Sequence, residues 1–214
     1  MALGPTVRRF LGPRLGRTAG RCYRAVFVDL DEVAQAVTTW LPPAARLLDI
    51  GGGDGEALNR LLTRRPDVHV TTLDTSALLA QYLEPRFEAQ VTRLPCTTLA
   101  QYLDQATEEP QVVLLADVLH HVPPAARPDL LAGLARLLER VASLRIIVKD
   151  IEPGSWRAWL ACWTDRYITG DRHVDPISRA ELIRLFTTHL GELRWQESDL
   201  IRRDHPNYAV AFFR

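Results

Sequence analysis

From Leu47 to Gly55 the chain reads Leu-Leu-Asp-Ile-Gly-Gly-Gly-Asp-Gly, a short apolar run that breaks into a cluster of glycines. No other stretch restricts the fold as tightly. The largely apolar segment Ala44 to Ile50 fits a buried parallel strand, and Glu56 to Leu62 carries Ala57, Leu58, Leu61 and Leu62 at helical spacing. Strand, glycine turn and helix together make the repeating unit of a doubly wound α/β sheet. Glycine at such a turn allows a sharp bend and lets a ligand approach where a Cβ would block it. Val68 to Asp74 is β-branched enough to form the next strand, which puts Asp74 at its carboxyl end, where open α/β sheets bind ligands.

The glycine spacing discriminates among cofactors. A dinucleotide fingerprint that begins at Gly51 and Gly53 needs a third glycine at position 56, which is Glu56. A phosphate-binding P-loop needs Gly-Lys-Ser/Thr, and the chain's single lysine, Lys149, lies far from any glycine cluster. The remaining pattern, Asp49-x-Gly51-x-Gly53-x-Gly55 followed by Asp74, resembles that of class I S-adenosylmethionine-dependent methyltransferases. This resemblance implies S-adenosylmethionine as cofactor, with the backbone of Gly51, Gly52, Gly53, Asp54 and Gly55 wrapping its methionine part and Asp74 holding the ribose hydroxyls. Thr75, Asp117 and Val118 join them as candidate cofactor contacts. The cofactor has no phosphate, so the loop needs close backbone approach and carboxylates, here Asp49 and Asp74, facing an ammonium, a sulfonium and a diol.

The expected fold is a Rossmann-like, doubly wound seven-stranded sheet, mostly parallel with an antiparallel last strand. Its helices are expected at Asp31 to Leu41, Thr75 or Ser76 to Leu83, Pro124 to Val141 and, behind a serine cap with Glu181 three residues on, Ser178 to Leu190. Further strands are expected at Val91 to Leu94, Val112 to Ala116 and Leu144 to Val148, with a closing pair at Glu192 to Glu197 and Tyr208 to Phe213 joined by Asp204 to Asn207. In domain terms, residues 1–40 form an arm and lead-in helix belonging to a cap, residues 41–214 form the cofactor-binding domain, and residues 152–177 are a substrate-cap insertion.

Chemistry belongs where the fourth and fifth strands end. The fourth is followed by Asp117-Val118-Leu119-His120-His121, similar to an Asp-x-Leu-His-His run in many small-molecule members of the resembled family. Histidine accepts a proton near neutral pH, so one of the pair is a candidate base for deprotonating an attacking hydroxyl. His121 is preferred over His120 on the expectation that neighbours in an extended segment point to opposite sides. His173 is a second candidate, and no metal is expected at the histidine pair. After the fifth strand, Lys149 and Asp150 are candidates to hold an anionic substrate group and to orient a donor, against the simpler reading of a surface salt bridge. Trp156, Trp159, Leu160, Trp163 and Tyr167 share one helical face. That face has three readings: plain core, a roof over substrate carried by Trp156, Trp159 and Tyr167, or a surface lying on a membrane.

Formal net charge is zero, yet Arg8, Arg9, Arg14, Arg17, Arg21 and Arg24 all precede the first acid, Asp29. This arm reads as a cover for the cofactor mouth, as a contact to anionic substrate or membrane, as a targeting segment or as a solvated tail. Cys22, Cys96 and Cys162 are widely spaced and odd in number, which favours neither disulfides nor zinc and points to a reducing, cytoplasmic setting. Where the fourth strand ends, Ala116-Asp117-Val118-Leu119 replaces the Asn/Asp-Pro-Pro-aromatic run of enzymes that methylate base amines. No specific nucleic-acid partner is expected. The sequence therefore reads as a methyltransferase acting on a small-molecule or lipid-like metabolite, at oxygen. The alternatives are a protein that binds the same cofactor for other chemistry or as a scaffold, and a macromolecule methyltransferase using the arginine arm. Oligomeric state is left open.

Overall fold

A computed structural model of the chain describes residues 28–106, 108–164, 166, 173–201 and 206–214. The arginine arm, Tyr167, the turn around Gly170 and residues 204 and 205 of the expected 204–207 connection lie outside them. Seven strands build one sheet: β1 (Arg46–Ile50), β2 (His69–Asp74), β3 (Val91–Pro95), β4 (Val112–Ala116), β5 (Arg145–Ile151), β6 (Arg194–Glu197) and β7 (Asn207–Phe213). Their order is β3-β2-β1-β4-β5-β7-β6. The first five strands run parallel, β7 lies antiparallel against β5, and β6 pairs antiparallel with β7. This is the expected fold. The order reverses between β1 and β4, which opens a crevice at their carboxyl ends.

Among the described residues six α-helices are seen: α1 (Leu30–Thr38), α2 (Glu56–Arg64), α3 (Leu99–Gln105), α4 (Arg127–Arg140), α5 (Trp156–Thr164) and α6 (Arg179–Leu190). Strand alternation divides the core between them. On β4, Val112 and Leu114 join a layer with Val33 and Val37 of α1 and Leu58 and Leu62 of α2. Val113 and Leu115 turn the other way, onto Leu103 of α3, Leu134 and Leu138 of α4, and Phe186 of α6. The lead-in helix, expected as part of a cap, is thus built into one covering layer, because its Val33, Ala36 and Val37 stripe is apolar enough to be buried. Asp29 starts it by accepting from the amides of Asp31 and Glu32 at 2.9 and 3.3 Å.

Three local expectations need correction. No helix runs from Thr75 to Leu83; the segment is a series of turns. The amides of Ala80 and Tyr82 donate to the carbonyls of Gly53 and Asp54 at 2.8 and 2.9 Å, so the glycine loop takes donors that a helix would have used internally. Helix α3 was missed, though Thr98 and Gln101 form a reciprocal capping box that announces it. Strand β5 runs past its expected end at Val148 through Lys149, Asp150 and Ile151, which seats those polar residues within the sheet.

Candidate active site

The turn between β1 and α2 is held by backbone contacts that leave little freedom. Gly51, Gly53 and Gly55 sit at φ of +76°, +54° and +89°, the left-handed region that favours glycine. The amides of Gly51 and Gly52 donate to the Leu73 carbonyl at 2.7 and 3.3 Å, which ties the loop to the end of β2. Asp74 then clamps it: its Oδ2 accepts from the Gly53 amide at 3.1 Å and its Oδ1 from the Ser76 amide at 2.8 Å. Thr75 is exposed beside it. Asp54 Oδ1 accepts from the Glu56 amide at 3.2 Å at the start of α2. Glycine at position 52 is a packing requirement, since a Cβ there would lie 1.9 Å from Thr72 Oγ1 and 2.7 Å from Asp49 Oδ2.

Asp49 does not face outward as its motif position suggested. Only 4% exposed, it lies beneath the loop and accepts a hydrogen bond from Thr72 Oγ1 at 2.8 Å. Burial pushes its carboxyl up to about 6; the Thr72 bond opposes the rise and the charge of Asp74 adds to it. Two carboxylates thus press against one glycine loop, one from below and one from the side. Such a loop suits a cationic ligand that carries no phosphate: close backbone, no lysine, and uncompensated negative charge. These residues fit S-adenosylmethionine.

At the neighbouring strand ends lies a second polar cluster. The register pairs Ala116 with Lys149, so Asp117 leaves β4 directly beside β5. Asp117 adopts φ +58°, a sparsely populated conformation for a residue with a Cβ, and its amide donates to the Lys149 carbonyl at 2.9 Å. Lys149, 1% exposed, places its Nζ 2.5 Å from Asp117 Oδ1. Burial raises the Asp117 carboxyl, but the charge of Lys149, together with His120, His121 and the lysine hydrogen bond, outweighs that and lowers it overall.

His120 and His121 belong to a single 3₁₀ turn, Leu119–His121, so the extended geometry used to separate them does not apply. Their rings lie 4.0 Å apart at 45°. His120 is 1% exposed, and its Nδ1 is 2.5 Å from Oδ1 of the fully buried Asp150. Asp150 also accepts from the amides of His120 and Ile151 at 3.3 and 2.8 Å. Asp175 lies against this turn. The Asp175 amide donates to the His120 carbonyl at 2.8 Å, and Arg127 grips the Asp175 carboxylate at 2.9 Å. Val118 links the two clusters, because a Cβ on Gly51 would come within 2.6 Å of its Cγ2.

Lys149 and Asp150, expected to meet substrate, are buried and bonded to Asp117 and His120; the Lys149–Asp117 contact is an ion pair at the strand end whose lysine is buried and whose carboxylate is partly exposed. His173 is exposed. Asp117, His120 and Asp150 bring one potential metal-ligand atom each to within 4.8 Å of one another, a grouping created by the strand ends and not by sequence spacing. Its oxygens already face the ammonium of Lys149 and the ring of His120. The aromatic face of α5 is not core: Trp156, Trp159 and Trp163 are 70%, 66% and 44% exposed, while Ala158, Ala161 and Thr164 face inward. No helix among the described residues is long and apolar enough to cross a membrane.

Comparison with known proteins agrees with this architecture. Residues 23–189 match the model of a methyltransferase domain family. An O-methyltransferase family protein from Burkholderia thailandensis superposes with a TM-score of 0.66 at 18% identity, covering 100% of this chain and 64% of its own. Human N-acetylserotonin methyltransferase in complex with S-adenosylmethionine gives 0.63 at 16% identity, with 86% of this chain and 53% of its own covered. An O-methyltransferase family 2 protein from Planctomyces limnophilus in complex with apigenin gives 0.61 at 15%, with 85% and 57% covered. The chain thus spans somewhat more than half the length of these structures. No curated protein sequence matches it.

Proposed function

The chain belongs to the methyltransferase-domain family of class I S-adenosylmethionine-dependent enzymes, and from that premise we propose that it methylates a small-molecule or lipid-like acceptor at oxygen. Bound at the Gly51–Gly55 loop, the cofactor supplies a methyl group already activated by positive sulfur. Asp74 would hold its ribose, and the paired charges of Asp49 and Asp74 would favour its cationic end. What the chain adds is orientation, exclusion of water and a place for the acceptor's proton.

One observation carries the reading of the acceptor: the His120–Asp150 contact at the shared edge of β4 and β5, two residues from the Val118 side chain that supports the glycine loop. A carboxylate on Nδ1 fixes the tautomer with its lone pair on Nε2 and stabilises the imidazolium that forms when a hydroxyl loses its proton. His120 is therefore the preferred base and Asp150 its positioning residue, with partly buried His121 as the rival. Residues 152–177 serve as the cap whose Trp156, Trp159 and Tyr167 would border the acceptor. The test is turnover of a panel of phenols and hydroxylated lipids by wild type, His120→Gln, His121→Gln and Asp150→Asn. His120→Gln and Asp150→Asn should lose roughly 10²–10⁴ in kcat with cofactor affinity retained. Full activity in His120→Gln would remove it as the base.

A further inference from the structure

Helix α4 opens on a residue that suits neither its position nor its surroundings. A cation at a helix amino terminus opposes the macrodipole, and arginine is seldom buried without partners. Arg127 nevertheless begins α4 while only 8% exposed, behind an Ala126 cap that offers no side-chain acceptor. Its guanidinium joins two separate segments. Nε donates to the Val122 carbonyl at 3.2 Å, and Nη2 donates to the main-chain carbonyl and to Oδ2 of Asp175 at 2.8 and 2.9 Å. Val122 ends the 3₁₀ turn that carries His120, and the Asp175 amide donates back to the His120 carbonyl at 2.8 Å. These contacts close a ring around the turn. Two residues beyond Asp175, the buried Tyr208 hydroxyl donates to the Ile177 carbonyl at 2.9 Å, so this stretch is also tied to β7.

From this ring we propose that Arg127 is a positioning residue for His120: acting through Val122 and Asp175, it fixes the backbone of the turn so that the imidazole keeps Nδ1 on Asp150 and its lone pair on Nε2. Asp150 orients the ring and amide from β5, while Arg127 secures the carbonyl side from α4. The planar fork of arginine matters here, because a lysine ammonium is a single point charge and cannot serve Val122 and both Asp175 oxygens in this geometry. The consequence for turnover rests on the methyltransferase reading with His120 as base; the hold on the imidazole does not.

NMR of the His120 imidazole nitrogens in isotope-labelled full chain, assigned with His120→Gln, tests the hold directly. Wild type should show one tautomer, protonated on Nδ1, with slow exchange of that proton. Arg127→Met should show mixed tautomers and exchange at least about tenfold faster. On the panel of phenols and hydroxylated lipids its kcat should fall about 10–100-fold, with acceptor KM and S-adenosylmethionine affinity near wild type. Arg127→Lys should recover part of both losses, since it keeps a cation for Asp175. The Asp175 side chain is 54% exposed, so removing Arg127 strands no buried charge. Should Arg127→Met still misfold, Asp175→Asn weakens the same contact and should move both readouts the same way by less. Unchanged His120 signals in the folded variant, or a loss confined to KM or Tm, would overturn the proposal. Altered signals without turnover of any acceptor by wild type would count against the enzymatic reading and leave the hold on His120 standing.

Discussion

Replacing Asp49 by asparagine separates what its carboxylate costs the fold from what it gives the cofactor. Its carboxyl is raised from 3.8 to about 6 by burial. Between about pH 4 and 6 the folded chain therefore holds a proton that the unfolded chain has released, and this residue's contribution to stability falls as pH rises through that window. A shift of about two units corresponds to about 3 kcal/mol of lost stability at neutral pH. Asparagine stays neutral and keeps an oxygen for Thr72 Oγ1, but its amide N–H groups need acceptors beneath the loop, so only part of that cost is recovered. Asp49→Asn should be about 1–2 kcal/mol more stable than wild type at pH 8, roughly 2–8 °C in Tm, with the gap closing toward pH 4. Its affinity for cationic S-adenosylmethionine should nevertheless fall about tenfold. Thermal denaturation across pH 4–8, paired with calorimetric titration, reads both. A variant no more stable than wild type at pH 8, with the same pH dependence, would refute the argument that this carboxylate is buried at a cost.

Two further substitutions probe the neighbouring contacts. Gly52→Ala drives a Cβ into Thr72 Oγ1 and Asp49 Oδ2; it should cost about 1–3 kcal/mol in urea denaturation and abolish cofactor binding. Asp117→Asn leaves the Lys149 ammonium buried opposite a neutral amide. Because Asp117 keeps 38% side-chain exposure, the expected loss is at the low end for broken buried pairs, about 3 kcal/mol, measured by the same denaturation.

Sequence alone carried the cofactor half of the site further than the acceptor half, for physical reasons. Glycine spacing, the run into Gly51 and an acid ending the next strand are local patterns, and parallel strands buried on both faces read as apolar runs. The His120–Asp150 and Asp117–Lys149 contacts join residues brought together by the β4–β5 register, which no local pattern encodes. Asp150 and Lys149 look like surface charges in sequence because polar residues are rarely buried; only the continuation of β5 reveals that they are. The turns after Thr75 misled for a related reason, their amides being claimed by carbonyls of the glycine loop. Helix α5 presents the opposite case: its helical face was legible, but which side points to solvent depends on the small residues between the tryptophans.

The central claim is that the Gly51–Gly55 loop, closed by Asp74, binds S-adenosylmethionine. Calorimetric titration of wild type and Asp74→Ala with S-adenosylmethionine tests it most directly. The structure predicts one-to-one binding by wild type and a loss of about tenfold or more in the variant, since a charge-assisted contact disappears. Absence of binding by wild type, or equal affinity in both proteins, would contradict the assignment.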